Sequence, residues 1–181
     1  STPMLEASIT EDYDIVIIGA GPAGSSAAQA AAQRGAKVLL IDRTDRIGVP
    51  VQCAEFVPQW ISRYAHFSLK CILQTIETMV THFSNGASFE MKSPGYMLDR
   101  SLFDKELSAS AILSGAQISI GTRVTGLISN GVIVERGTRK EHIKSKVIIG
   151  ADGVHSSTVH WVGLPPVKTT VALQYELAIS N

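Results

Sequence analysis

YDIVIIGAGPAGSSAAQAAAQRGAKVLLID, residues 13–42, decides the fold. Tyr13 to Ile18 is a continuous apolar and β-branched run, the pattern of a parallel strand buried on both faces. It ends in Gly19-Ala20-Gly21-Pro22-Ala23-Gly24, which opens at once into an alanine-rich helix over 25–34 whose small side chains permit close approach to a sheet. Gly35 stops that helix. Lys37 to Ile41 reads as a second buried strand and finishes on Asp42. A glycine triplet alone is a weak signal. Here strand, turn, helix, strand and acid stand in the order that a dinucleotide-binding βαβ unit requires.

Each position has a physical reason. Gly19 permits the tight turn, Gly21 lets the backbone approach a diphosphate, and Gly24 removes a Cβ where helix meets strand. Pro22 suits a first helical turn, where its missing N–H would lack a partner anyway. The helix start offers unpaired N–H groups and partial positive charge to the diphosphate, while Asp42 accepts from a ribose and disfavours a 2′-phosphate. These residues leave NAD and FAD both open.

Composition narrows the class. The chain has 181 residues, 45% hydrophobic and 18% charged, which is the make-up of a soluble globular domain with a substantial core. Its formal net charge is zero and no stretch concentrates Lys and Arg, so the electrostatic footprint for nucleic acid is missing. Cys53 and Cys71 have no metal-like spacing to the histidines, which argues against a zinc site or a disulfide framework and makes a reducing cytoplasmic compartment the default. Residues 1–12 read as a tail outside the fold, without a secretory pattern, and Ser-Thr-Pro before Met4 reads as an added remnant. No apolar run approaches the length that spans a bilayer; peripheral contact with a membrane surface stays open.

Beyond Asp42 the pattern changes. Residues 75–92 alternate polar and apolar around Asn85-Gly86, the signal of an antiparallel hairpin with a two-residue loop inserted into a parallel fold. A helix starts at Ser101, with Asp104 three residues later as a variant capping box and Phe103, Leu107 and Ala111 on one face; Gly115 ends it. Short strands over 116–127 and around Asn130-Gly131 lead to Lys146 to Ile149, another buried strand, followed by Gly150-Ala151-Asp152-Gly153. Ligands gather at the carboxyl ends of such strands. The predicted class is α/β: a Rossmann-like domain with a parallel sheet and an inserted antiparallel hairpin.

Taken singly, several residues have plain readings. Cys53 is a small buried hydrophobe, Glu55 a loop carboxylate, Arg100 an ion-pair partner for Asp99 or Asp104, and Asp152 a turn cap. His155 and His160 read as structural or exposed, and Trp161 with Leu164 as core packing.

Joined together, the motifs say more. GAGPAG at 19–24, Asp42-Arg43, IGVPVQCAE at 47–55, YMLDRSLFDKEL at 96–107, GADGVHS at 150–156, WVGL at 161–164 and ALQYELA at 172–178 resemble the FAD-dependent oxidoreductases of the p-hydroxybenzoate hydroxylase-like fold, and within them most closely the geranylgeranyl reductase family. The resemblance implies FAD, with Gly19, Gly21, Ala23 and Gly24 at its diphosphate, Asp42 at the adenosine ribose, Arg43 near the adenine and Val124 in a backbone contact with it. It also implies Cys53 and Ala54 beside the flavin, Arg100 against the ribityl-diphosphate portion, and Asp152 at a second flavin loop. The implied reaction is saturation of isoprenoid double bonds by hydride from reduced flavin, with Cys53 and Glu55 as candidate catalytic residues for the proton. A monooxygenase or halogenase of the same fold and a non-catalytic flavin-binding fragment are the alternatives.

The implied organisation is a βαβ unit at 13–45, a flavin-passing loop and hairpin at 46–100, the remainder of the FAD domain at 101–166 and the start of a substrate domain at 167–181, with ALQYELAIS as its first strand. Family members continue past that point, which implies a missing C-terminal half or a partner chain, together with a prenyl or other hydrophobic substrate and an electron donor. Ala54 and Phe56 replace glycines of the family pattern and His160 an arginine, so the side chains of Ala54 and Phe56 are expected to alter the flavin surroundings or the substrate channel, with Phe56 also lining an isoprenoid tunnel.

Overall fold

The computed structural model describes residues 12–175. The opening unit forms as its periodicity predicts, with β1 (Tyr13–Ile18) parallel to β2 (Val38–Ile41) and α1 (Pro22–Ala32) crossing between them. All of β2 is buried, which is why it carries no alternation. After it come β3 (Phe56–Pro58), β4 (Ile72–His82), β5 (Ser88–Leu98), α2 (Arg100–Leu113), β6 (Gln117–Ser119), β7 (Arg123–Ile128), β8 (Gly131–Arg136), β9 (Arg139–Gly150) and α3 (Ser157–Trp161).

A six-stranded sheet has the order β6-β2-β1-β9-β8-β7. Its first four strands are parallel, and β9 belongs to two neighbourhoods: Ser145 to Gly150 pair with β1, whereas Arg139 to Lys144 pair antiparallel with β8. Val132 and Val134 of β8 share a buried core with Val16 and Leu39, so the antiparallel part packs over one face of the parallel part. On the other face, Ala28, Ala32 and Ala111 of the helices cover Ile17 and Leu40. The small side chains let α1 and α2 approach closely, and a buried hydroxyl pair, Ser25 Oγ to Ser108 Oγ at 2.9 Å, joins them.

A second sheet, β3-β5-β4, departs from the expected two-stranded hairpin in two ways. The loop is longer than Asn85-Gly86: the Gly86 N–H donates to the Phe83 carbonyl at 3.0 Å and the Phe83 N–H to that of Ala87 at 2.9 Å. Gly86 has φ +85° while Asn85 has no positive φ, so a turn with a left-handed glycine bulge replaces the mirror-image two-residue turn. The third strand comes from residues read as an irregular loop. Phe56, Val57 and Pro58 pair with Met97, Tyr96 and Gly95, and Pro58 is tolerated because β3 is an edge strand. Phe56 packs across this small sheet. A Cβ on Gly95 would lie only 2.6 and 2.7 Å from its ring carbons.

The cap of α2 also differs from expectation. Asp99, not Ser101, is the N-cap: its carboxylate accepts from the Leu102 N–H at 3.0 Å, and Asp104 turns back to Arg100 instead of completing a capping box. Both residue types cap well, and the extended backbone of Asp99 follows directly from β5, so the helix starts there. Phe103, Leu107 and Ala111 are buried as predicted, with Phe103 edge-to-face on Phe67 at 5.1 Å. Residues 164–175 form neither helix nor strand. The expected substrate-domain strand therefore has no counterpart at 172–175, and its remainder, like the tail at 1–11, lies outside the described residues. No helix among the described residues is long and apolar enough to cross a membrane.

Candidate functional site

The glycine turn separates two jobs. A Cβ on Gly24 would stand 1.8 Å from the Gly19 carbonyl oxygen, and one on Gly19, whose φ is +103°, would stand 2.3 Å from the Ala151 oxygen. These two glycines let β1, α1 and the end of β9 press together. Gly21 is different: a Cβ there would meet nothing within 4 Å. It is the N-cap of α1, and that helix start has no side-chain cap and no acidic residue in its first turn. Its unpartnered N–H groups and partial positive charge are left for a ligand.

A groove of about 390 Å³ opens there, at the carboxyl ends of β1, β2 and β9. Asp42 enters it from the end of β2. One carboxylate oxygen accepts from the Ala20 N–H at 2.7 Å and the other from the Thr44 N–H and hydroxyl at 2.8 and 2.7 Å. Asp42 therefore ties the glycine turn to the strand end as well as facing the groove. Three of roughly four lone-pair sites are used, which leaves about one for a ribose hydroxyl. The loop before β7 is held against the same strand end, with Thr122 N–H to the Asp42 carbonyl at 2.9 Å and Gly121 N–H to that of Thr44 at 2.7 Å. Arg43 and Val124 thus share one end of the groove.

Asp152 lines the groove from the end of β9 and also caps the start of α3. Its carboxylate accepts from the Ser156 hydroxyl at 2.6 Å and the Thr158 N–H at 3.0 Å. Partial burial works against its charge, but these hydrogen bonds outweigh that and hold the carboxyl below the ordinary aspartate range. A depressed folded-state pKa stabilises above the unfolded value, about 3.9, and that contribution is lost as pH falls through the folded value. Asp152→Asn is accordingly expected to flatten the acid limb. Thermal melts from neutral pH downward should fall more steeply for the wild type than for the variant below about pH 4; parallel curves would refute the assignment.

The structure gathers Gly19, Gly21, Asp42, Arg43, Val124 and Asp152 around one groove. Ala23 and Gly24 stand within the first turns of α1, outside its lining. Cys53, Ala54, Glu55 and Arg100 are also absent from the groove wall. Glu55 holds a left-handed backbone, φ 62°, its N–H donating to Cys53 Sγ at 3.3 Å and its carbonyl accepting from Leu98 at 3.0 Å. Arg100 donates to both oxygens of Asp104, at 3.0 and 3.3 Å, and lies 5.8 Å from the Phe103 ring centre. Burial pulls its pKa down, yet the bonds and charge of Asp104, with a smaller part from Cys53, raise it overall. Its charge is committed to Asp104, a residue that lines the groove in its place.

Arg46, Gln52, Arg123, His155 and Trp161 also line the groove; the sequence motifs cover Gln52, His155 and Trp161 without assigning them to a site, and Arg46 and Arg123 stand outside them. Single arginines such as Arg46 and Arg123 carry no spacing signal. Trp161 packs against the core beneath the parallel sheet and reaches the groove as well, so its packing role is half of its position. The buried-hydrophobe reading fits Cys71, whose thiol burial pushes up in pKa.

Residues 14–153 match the model of a family described as FAD dependent oxidoreductase. The chain belongs to that family. It is 37% identical over 183 residues to the digeranylgeranylglycerophospholipid reductase of Methanosarcina acetivorans, covering 92% of this chain and 45% of that one. It is 40% identical to an uncharacterized protein from the nifH2 5′ region of Methanosarcina barkeri, over 84% of this chain and 88% of that one. Among solved structures, a geranylgeranyl bacteriochlorophyll reductase-like protein from Thermoplasma acidophilum superposes with a TM-score of 0.79 at 28% identity, covering 85% of this chain and 42% of that one. The chain thus spans less than half the length of the Methanosarcina acetivorans reductase and of the Thermoplasma acidophilum protein. FAD is the cofactor of the family, and the residues present fit it: an uncapped helix start, the open face of Gly21 and a carboxylate, Asp42, on the groove wall at the end of β2.

Proposed function

We propose that the protein reduces the double bonds of geranylgeranyl-type prenyl chains on lipids with FAD as cofactor. The observation that carries this reading is the 37% identity over 92% of the chain to a reductase named for such a lipid. In this reading the backbone at Gly19, Gly21, Ala23 and Gly24 holds the diphosphate, Asp42 the ribose, Arg43 and Val124 the adenine, and Asp152 the second loop. Bound and reduced, FAD supplies the hydride to one alkene carbon. The protein orients the chain, excludes water and delivers a proton to the other carbon. Cys53 and Glu55, on the passage between the groove and β3, are the residues assigned to that proton. A bilayer lipid as substrate brings with it peripheral contact with the membrane from the cytoplasm, and turnover requires a separate electron donor.

Anaerobic incubation with FAD, dithionite and vesicles containing a geranylgeranyl lipid tests the reading. The expected result is a mass gain of two hydrogens for each bond saturated, with Cys53→Ser or Glu55→Gln slowing turnover while FAD affinity holds. A protein that binds and reduces FAD, leaves the lipid unchanged and instead hydroxylates an aromatic compound with oxygen would overturn it in favour of a monooxygenase.

A further inference from the structure

The charges around the groove are unequal in what they are free to do. Its carboxylates are occupied: Asp42 by Ala20 and Thr44, Asp104 by Arg100, and Asp152 by Ser156 and Thr158. Its arginines, Arg43, Arg46 and Arg123, have no ion pair among the described residues. A diphosphate carries two negative charges, and the start of α1 offers roughly half a positive one. A side-chain cation beside it would balance more of that charge, and Arg100 is already held by both oxygens of Asp104.

Arg43 and Arg123 flank Asp42 and Val124 at the end of the groove assigned to adenosine. Arg46 begins the stretch of groove wall made by residues 46–50 and Gln52. That wall passes over the start of α2, where a Cβ on Gly48 would come within 2.7 Å of the Ser101 carbonyl oxygen. Along it Arg46 is the one charged side chain, with the Gln52 amide also lining the groove. Arg46 is exposed, which leaves its long stem free to swing to a ligand.

We infer that Arg46 supplies the side-chain charge for the FAD diphosphate, the part that the sequence motif gives to Arg100. The inference rests on the FAD reading of the groove. It makes Arg46 a cofactor-binding residue and leaves Arg100 to position Asp104 and the Cys53 passage.

The test compares the wild-type chain with Arg46→Ala, Arg46→Gln, Arg100→Ala and a distant charge control, Lys144→Ala. Flavin fluorescence reads FAD affinity, calorimetry reads ADP affinity, and circular dichroism checks the fold. Loss of a charge-assisted phosphate contact is expected to weaken FAD and ADP by roughly ten- to a hundredfold in both Arg46 variants. The effect should shrink at high salt, whereas Lys144→Ala and Arg100→Ala keep ADP affinity within about twofold. Unchanged ADP affinity in folded Arg46 variants, or a loss confined to Arg100→Ala, overturns the inference. A wild-type chain that binds neither FAD nor ADP overturns the reading of the groove itself.

Discussion

A Gly24→Ala chain is expected to lose FAD binding and at least about 2–3 kcal/mol of stability. Two effects compete. Alanine in place of glycine inside α1 gains up to about 1 kcal/mol of helix propensity. Against that, the new Cβ would sit 1.8 Å from the Gly19 carbonyl oxygen and 3.3 Å from the Ala151 side chain. The first of those neighbours is backbone, held by Gly19 N–H to the Ile41 carbonyl at 2.7 Å, so it cannot rotate aside as a side chain would. Relief requires α1 to lift from β1, which also moves its N-terminus away from the groove. Urea unfolding and flavin fluorescence read the two consequences. Gly21→Ala is the matched contrast: its φ of −71° suits any residue and its Cβ meets nothing within 4 Å, so the fold should hold while a methyl group intrudes into the proposed diphosphate site. A Gly24→Ala chain as stable as the wild type would mean that helix and strand have room to separate without loss.

The two glycines differ in a way that local sequence makes legible. The roles of Gly19, Gly21 and Gly24 follow from local order, because the strand before them and the helix after them both announce themselves by composition. The buried face of α2 is readable for the same reason: Phe103, Leu107 and Ala111 repeat at the helical period. Elements defined by a distant partner are not. β3 exists because Phe56 to Pro58 find Met97 to Gly95, some forty residues on, and nothing within three residues containing a proline foretells that. The cap of α2 is ambiguous chemically, since Asp99 and Ser101 both qualify, and the exit geometry of β5 decides between them. In the site, the acid at the end of β2 is plain, but its bonds to Ala20 and Thr44 depend on how two loops fold onto one another. Arg46 and Arg123 belong to the same class, because only the groove that surrounds them distinguishes them from ordinary surface arginines.

Asp42→Ala is the second large effect expected, because in the proposed reading one carboxylate serves both fold and ligand. Removing it orphans the Ala20 N–H and the Thr44 N–H and hydroxyl, which now sit at 2.7, 2.8 and 2.7 Å. Leaving such partners unpaired costs about 1–3 kcal/mol when they are shielded from water, and these are part-buried, so the lower half of that range is expected. For FAD, the loss of a charged acceptor for the ribose adds to a loosened glycine turn, and affinity should fall roughly a hundredfold. Asp42→Asn separates the two. Its single amide oxygen can serve either Ala20 or Thr44 but not both, and its NH2 presents a donor where the other side needs an acceptor. The asparagine variant should therefore recover only part of the stability and little of the affinity. Both quantities are read by thermal melts and flavin titration. If Asp42→Ala destabilises the chain but FAD affinity stays within a few-fold, the carboxylate is a tie between the glycine turn and β2 only, and the ribose must be held by the groove's backbone and arginines.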